Sequence, residues 1–213
     1  MKEYKTYVFD LDGTLLSTLA DLAASTNYAL SCYGMPQRTL EEVRFFVGNG
    51  VRKLMERAVP DGAANPCFEQ VYACFRTHYM QHNLDTTAPY PGVMEMLAAL
   101  KARHKHIAVV SNKFYAATQE LCRHFFGNYV DVAIGERAGI RKKPAPDTVN
   151  EALRLLGVTA EGAVYIGDSD VDIETAANSG MPCISVLWGF RDRDFLLAHG
   201  AQTLVASPLE LLP

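Results

Sequence analysis

The 213-residue chain has little of what marks several classes of protein. Its five cysteines are odd in number and form no Cys-x-x-Cys pair, so neither a disulfide framework nor a cysteine zinc site is expected. Its apolar runs are far shorter than the roughly 20 residues that cross a bilayer, and no secretory leader is recognisable. The net charge is −4, without a block of lysine and arginine, which argues against a nucleic-acid partner. We therefore expect a soluble, cytoplasmic protein with no membrane or nucleic-acid partner.

What the chain does contain is an alternation of short apolar runs and amphipathic stretches. Strands are predicted at residues 4–9, 107–110, 130–134, 163–166 and 183–187. From residue 18 to about residue 82 only helical periodicity is found. Strands that alternate with helices indicate βαβ units and a parallel sheet. We predict an α/β fold: a doubly wound parallel sheet in a Rossmann-like catalytic core (residues 1–16 and 88–213), with an inserted helical cap domain (residues 17–87).

The first predicted strand ends in two carboxylates one residue apart, Asp10 and Asp12, followed by Gly13 and Thr14. Alternate side chains of a strand share a face, so the two carboxylates would project together. Like charges at a buried strand end repel each other. Their presence indicates a cation or a reaction, because carboxylates bind hard divalent cations and can act as nucleophiles.

Polar residues also accompany the later strands. Ser111, Asn112 and Lys113 follow the second predicted strand, Lys143 precedes the helix after the third, and Asp168 follows the fourth. Taken singly, such residues can be turn or helix-cap residues. Doubly wound sheets bind their ligands at the carboxyl ends of the strands, so the sequence predicts that these side chains meet in one site.

Four short motifs occur in order: Asp-x-Asp-Gly-Thr at 10–14, a serine at 111, Lys-Pro at 143–144 and Gly-Asp-Ser-x-x-Asp at 167–172. In this order they resemble the haloacid dehalogenase superfamily, in its phosphatase branch. The resemblance covers nearly the whole chain, and the helical insertion matches the cap of that superfamily. Residues 46–50 and 54–58 are similar to the cap of phosphoglycolate phosphatases. The chain departs at residues 16–18, where many relatives carry an acidic residue.

The resemblance implies different roles for the carboxylates. Asp10 would be the nucleophile that forms an aspartyl-phosphate, and Asp12 would protonate the leaving oxygen and then activate water. Mg²⁺ would be held by Asp10, Asp168 and the backbone carbonyl of Asp12, an oxygen-rich site that suits this ion. Asp172 would orient Lys143 or a metal-bound water.

The phosphoryl group is expected to be bound by lysine, hydroxyl and amide groups that offset its charge. The predicted phosphate-binding residues are Thr14, Ser111, Asn112 and Lys143. Lys142 is the alternative to Lys143, which is preferred because it directly precedes the proline. Lys113 is expected to be a surface cation, with a contact to the substrate as the alternative that its position permits.

Two residues of the insertion are the predicted selectors of the leaving group: Asn49, within the loop of residues 48–50, and Arg52, just after it. An arginine there can pair with a small anionic group such as a carboxylate. The alternative is that both side chains belong to a solvated surface.

We predict a Mg²⁺-dependent phosphatase that hydrolyses a small phosphomonoester, with 2-phosphoglycolate as the favoured substrate, in a monomer or homodimer. A sugar phosphomutase, a nucleotidase or a pyrophosphatase of the same superfamily stays open. A dehalogenase is disfavoured, because Asp12 serves phosphoryl transfer and is not needed to displace halide. A non-catalytic binding module is the alternative from another class, and the intact set of Asp10, Asp12, Lys143 and Asp168 argues against it.

Overall fold

The computed structural model describes residues 2–212. The chain divides into two compact units. One contains the chain up to Ser17 and from Pro89 onward, and the other is Thr18–Ala88. Among the described residues, no helix is both long enough and apolar enough to cross a membrane.

Strands and helices alternate in the larger unit, while the smaller unit is helical. The strands are β1 (Thr6–Phe9), β2 (Leu16–Ser17), β3 (Ala88–Pro89), β4 (His106–Phe114), β5 (Val132–Glu136), β6 (Ala163–Gly167), β7 (Cys183–Val186) and β8 (Leu204–Val205). The α-helices are α1 (Leu19–Cys32), α2 (Leu40–Phe46), α3 (Val51–Ala58), α4 (Phe68–His82), α5 (Val93–Ala102), α6 (Tyr115–Phe126), α7 (Asp147–Leu156), α8 (Asp170–Asn178) and α9 (Arg193–Ala198). Short 3₁₀ turns cover Gly62–Ala64 and Pro208–Leu211.

Six strands form one sheet in the order β5-β4-β1-β6-β7-β8, and every neighbouring pair in it is parallel. The strands β2 and β3 pair separately. All four residues of β1 are buried, as expected for a central strand that is covered on both faces. On one face Val8 and Tyr165 pack with Val149 of α7 and Ala176 of α8. The predicted α/β fold with a doubly wound parallel sheet is confirmed.

The unit Thr18–Ala88 consists of helices and contains α1 to α4. Thr39 precedes α2 and caps its N-terminus. The Thr39 hydroxyl accepts the Glu42 N–H, and the Glu42 carboxylate accepts the Thr39 N–H. Asp21 lies in the first turn of α1 and accepts backbone N–H and hydroxyl groups from Thr86 and Thr87. These bonds join the beginning of the unit to its end.

β4 is longer than the sequence predicts. The predicted strand ends at residue 110, whereas the observed strand continues to Phe114, with a register shift against β5 after Val110. Such an irregularity lets a strand continue while its side chains are re-aimed. Ser111 and Asn112 therefore lie inside the strand, and α6 begins only at Tyr115. The alternative that they cap a helix is wrong.

Candidate active site

The site lies at the carboxyl ends of the three central strands. β1 is flanked by β4 on one side and β6 on the other. Successive strands are added toward one edge of the sheet from β1 through β4 to β5, and toward the other edge from β6 through β7 to β8. This switch point is where doubly wound sheets bind their ligands. Asp10 follows β1, Ser111 lies near the end of β4 and Asp168 follows β6, and all three are buried.

Lys143 is the central cation of the site, with 2% of its side chain exposed. Its Nζ lies 2.8 Å from Oδ1 of Asp10 and 2.7 Å from Oδ1 of Asp172, and it donates to the Tyr165 hydroxyl at 3.0 Å. Burial alone would lower the pKa of Lys143, but the charges of Asp10 and Asp172 outweigh it and raise that pKa well above its ordinary value. Lys143 therefore stays positively charged.

Asp10 has one carboxylate oxygen engaged and one open. The Leu11 N–H donates to Oδ1 at 2.7 Å, and Lys143 contacts the same atom. Oδ2 is thereby left for a ligand or for attack on a substrate. Burial, and after it the charge of Asp172, raises the pKa of Asp10 well above its usual range, although Lys143 offsets part of the shift.

Asp172 is saturated by protein donors. Its Oδ2 accepts the N–H groups of Asp168 and Ser169 and the Ser169 hydroxyl. Its Oδ1 accepts from Lys143 and from the Tyr165 hydroxyl. A carboxylate with five donors has little capacity left for a metal. Asp172 closes the first turn of α8 and holds Lys143 in place.

Asp168 is held in a narrow space. The Thr14 hydroxyl donates to its Oδ1 at 3.1 Å, and the Phe190 N–H donates to its Oδ2 at 2.7 Å. Gly13 and Gly189 approach it so closely that a Cβ on either would lie within 2.3 Å of an Asp168 atom. Burial, followed by the charge of Asp172, raises the pKa of Asp168 to about 7.

The acidic residues suit a divalent cation. Carboxylate oxygens of Asp10, Asp168 and Asp172 lie within 4.8 Å of one another, and no other such group occurs among residues 2–212. Hard cations bind oxygen donors. Burial and the charge of Asp172 raise the pKa of both Asp10 and Asp168, and a bound cation would favour their charged forms. Because Asp172 is saturated, Asp10 and Asp168 are the residues whose side chains fit a metal.

Lys113 is not a surface cation, and that prediction is wrong. Its side chain is fully buried, and its Nζ lies 2.9 Å from each carboxylate oxygen of Asp12. The reason is the extension of β4, because residues two apart in a strand share a face. Lys113 therefore projects beside Ser111. The two-residue spacing of Ser111 and Lys113 is the signal in the sequence that could predict this position of Lys113. It does so only when β4 is known to continue to Phe114.

Two of the predicted phosphate-binding residues have other partners. The Asn112 side-chain nitrogen donates to the Lys143 carbonyl, and its oxygen accepts the Lys143 N–H. The Thr14 hydroxyl donates to Asp168. The Asn112 side chain thus holds the Lys143 backbone, and the Thr14 hydroxyl holds Asp168. Ser111 is buried, and its Oγ accepts the Lys113 N–H, which leaves its hydroxyl hydrogen free to donate.

The predicted selectors in the helical unit are engaged within that unit. Arg52 donates to both carboxylate oxygens of Glu69 on α4, and its guanidinium lies 5.0 Å from the ring centroid of Phe68. Asn49 accepts a hydrogen bond from Arg57. These contacts hold α3 and the preceding loop together with α4, which favours the alternative of a structural surface role.

Comparisons with known proteins agree on one family. A family model described as haloacid dehalogenase-like hydrolase matches residues 7–186. A phosphoglycolate phosphatase from Aquifex aeolicus is 33% identical over 87% of this chain and 86% of its own. One from Chromobacterium violaceum is 30% identical over 99% of this chain and 96% of its own.

Solved structures give the same result. A candidate phosphoglycolate phosphatase from Lactobacillus delbrueckii subsp. bulgaricus has a TM-score of 0.93 and 37% identity, covering 99% of this chain and 97% of that one. CbbY from Rhodobacter sphaeroides, solved with phosphate, has a TM-score of 0.80 and 26% identity, covering 98% and 96%. The predicted resemblance is confirmed, and the chain is a hydrolase that belongs to the haloacid dehalogenase-like family.

Proposed function

We propose that the chain is a Mg²⁺-dependent phosphomonoesterase that works through an aspartyl-phosphate on Asp10. The observation that carries the proposal is the open Oδ2 of Asp10, whose other oxygen is held by Leu11 and Lys143. A fixed carboxylate with one free oxygen beside a buried cation is suited to attack an anionic phosphoryl group.

In the first step Oδ2 of Asp10 attacks phosphorus, the ester P–O bond breaks, and Asp12 gives its proton to the leaving oxygen. In the second step Asp12 takes a proton from water, whose oxygen attacks phosphorus and releases Asp10 and inorganic phosphate. Lys143 offsets the charge of the transferring group, and the Ser111 hydroxyl donates a hydrogen bond to it.

Asp10, Asp168 and the backbone carbonyl of Asp12 would hold Mg²⁺, which supplies positive charge against the phosphoryl oxygens when bound. Support comes from the convergence of the acidic oxygens and from the raised pKa values of Asp10 and Asp168. Asp172 supports the site by holding Lys143.

We assign the catalytic core to residues 1–16 and 88–213 and the cap, which selects the leaving group, to residues 17–87. The favoured substrate is 2-phosphoglycolate, because the relatives from Aquifex aeolicus and Chromobacterium violaceum are phosphoglycolate phosphatases. A phosphorylated sugar is the second candidate. A second structure of CbbY from Rhodobacter sphaeroides, 25% identical in sequence to this chain, is a complex with xylulose-1,5-bisphosphate. Asn49 and Arg52 stay the candidate selectors of the leaving group.

The first test is hydrolysis of a panel of phosphorylated metabolites with and without Mg²⁺. We expect release of phosphate that requires Mg²⁺ and is fastest with 2-phosphoglycolate. A flat profile would indicate a general scavenger, and turnover that requires a bisphosphorylated sugar would indicate a mutase. Absence of activity on every phosphoester would favour the binding module.

The second test is Asp10→Asn, which removes the nucleophile. We expect activity to fall by about 1,000-fold or more, as is typical when a nucleophile is lost. Asp170→Asn is the matched control, because Asp170 begins α8 and lies outside the acidic group, and it should retain activity. Full activity of Asp10→Asn would reject the covalent mechanism.

A further inference from the structure

Lys113 is a buried lysine that is paired with the proposed acid and base. Its side chain has no exposed surface, and its Nζ lies 2.9 Å from both oxygens of Asp12, whose side chain is 13% exposed. Lysine is almost never fully buried without a partner. Nζ donates a hydrogen bond to Oδ2 and forms an ion pair with Oδ1, which is buried and accepts no hydrogen bond within the described residues.

The backbone of Lys113 is fixed from three directions. Its N–H donates to the Ser111 hydroxyl oxygen at 3.1 Å, and its carbonyl accepts from the Thr118 hydroxyl at 3.3 Å. Gly135 of β5 packs so closely that a Cβ there would lie 2.8 Å from the Lys113 carbonyl oxygen. The lysine side chain therefore starts from a defined point at the end of β4, from which its Nζ reaches Asp12.

The two lysines of the site serve different carboxylates. Lys143 contacts Asp10 and Asp172, whereas Lys113 contacts Asp12. Neighbouring carboxylates that are held by separate cations can keep separate positions and separate roles.

We propose that Lys113 is a positioning residue that holds the Asp12 carboxyl group where it can reach the leaving oxygen and, later, the attacking water. The proposal rests on the proposed function, in which Asp12 moves both protons. The contact is compatible with both steps, because lysine has three N–H donors and a protonated carboxyl group keeps an acceptor oxygen.

The test compares two esters in Lys113→Met. 4-Nitrophenyl phosphate has a good leaving group and needs little protonation, whereas 2-phosphoglycolate has an alkoxide leaving group and needs the acid. We expect kcat/KM, which reports the steps up to loss of the leaving group, to fall about 10- to 100-fold on 2-phosphoglycolate, within the range of general acid catalysis, and much less on 4-nitrophenyl phosphate. Lys142→Met, which changes a lysine with a 40% exposed side chain, should leave both rates unchanged.

A double-mutant cycle with Asp12→Asn separates positioning from a general structural effect. If Lys113 acts through Asp12, adding Lys113→Met to Asp12→Asn should cost no further activity on 4-nitrophenyl phosphate. Equal losses of kcat/KM on both esters in the single variant, or additive losses of kcat/KM in the double variant, would overturn the proposal. If Lys113→Met does not fold, Lys113→Arg, which keeps the charge and shifts the donor atoms, should show the same contrast between the esters to a smaller degree.

Failure of this inference can be told apart from failure of the proposed function. If the wild-type protein hydrolyses no ester, the proposed function itself fails. If the wild-type protein is active, Asp10→Asn is inactive and Lys113→Met matches the wild type on both esters, then only the role of Lys113 is rejected.

Discussion

Four aspartates of the site differ in what surrounds them, and the surroundings separate their roles. Asp10 has one open oxygen, and Asp12 is held by a lysine of its own. Asp168 is fixed by a hydroxyl group and a backbone N–H, while Asp172 is saturated. Chemically identical side chains can thus serve as nucleophile, acid and base, ligand and support, because their environment sets their reactivity.

Glycine is required at position 13 for two separate reasons, the backbone conformation and the approach to Asp168. Its φ is +86°, and a Cβ would lie 2.3 Å from Oδ2 of Asp168. A side chain in this left-handed region costs about 1–2 kcal/mol, and the collision would also displace Asp168. We expect Gly13→Ala to lower the free energy of unfolding in urea by more than the backbone term alone and to abolish Mg²⁺-dependent activity.

Gly34→Ala is the matched control for Gly13→Ala. Gly34 also has a positive φ, +63°, but a Cβ there would meet no atom within 4 Å. Gly34→Ala should therefore show the backbone cost without loss of activity. Equal losses of unfolding free energy in the two variants, with activity retained in both, would show that the approach of Gly13 to Asp168 is not needed.

At the scale of elements, Asp21 connects the beginning of α1 to a segment far along the chain, because its partners Thr86 and Thr87 are 65 and 66 residues away in sequence. It lies in the first turn of α1 and accepts N–H and hydroxyl groups from Thr86 and Thr87. Burial would raise the pKa of Asp21, but the hydrogen bonds from Thr86 and Thr87 together lower it below its ordinary value. The charged form is therefore the one that stabilises the fold.

We expect Asp21→Asn to lower the free energy of unfolding by about 2–3 kcal/mol at pH 7, in line with the loss of hydrogen bonds to a charged acceptor. Because the folded pKa lies below the unfolded value of about 3.9, this stabilisation is present above about pH 4 and is lost as the pH falls through the folded pKa. Urea unfolding at pH 7 and at pH 3 measures it, and the gap between wild type and variant should shrink at pH 3.

Glu41→Gln is the control for Asp21→Asn, because the Glu41 side chain is 62% exposed. Its substitution should change the free energy of unfolding by no more than about 0.5 kcal/mol. A gap between wild type and Asp21→Asn that stays constant from pH 7 to pH 3 would contradict the role of the Asp21 charge.

The elements that could be predicted from the sequence are those that local patterns determine. The apolar runs predict the strands of the central sheet, and the polar residues at their ends place Asp10 and Asp168 at one edge, because parallel strands share that edge. These predictions use only neighbouring residues and a general rule of the fold.

The rest depends on contacts between residues far apart in sequence. The partner of Thr14 is Asp168, the partner of Asn112 is Lys143 and the partner of Asp21 is a pair of threonines. The burial of Lys113 cannot be predicted locally, because the end of β4 depends on its pairing with β5. A local pattern does not reveal a hydrogen bond whose acceptor is 31 or 154 residues away.

At the scale of the whole molecule, the net charge of −4 is accompanied by a local excess of negative charge. The site holds four carboxylates, Asp10, Asp12, Asp168 and Asp172, and two ammonium groups, Lys113 and Lys143. With all six groups ionised, two negative charges remain. A divalent cation supplies the two positive charges that this buried group lacks, so the fold should be more stable when the cation is bound.

We therefore expect Mg²⁺ to raise the melting temperature of the whole protein. A ligand at about 100 times its Kd stabilises the native state by about 2.7 kcal/mol, which for a chain of this length corresponds to about 5–10 °C. Differential scanning calorimetry with EDTA and with increasing Mg²⁺ measures the shift. Asp168→Asn, which removes one proposed ligand, should reduce the shift strongly, whereas Asp170→Asn, outside the acidic group, should keep it. A wild-type melting temperature that Mg²⁺ leaves unchanged would mean that the excess charge is relieved by protonation of Asp10 or Asp168, and that the site is not built for a cation.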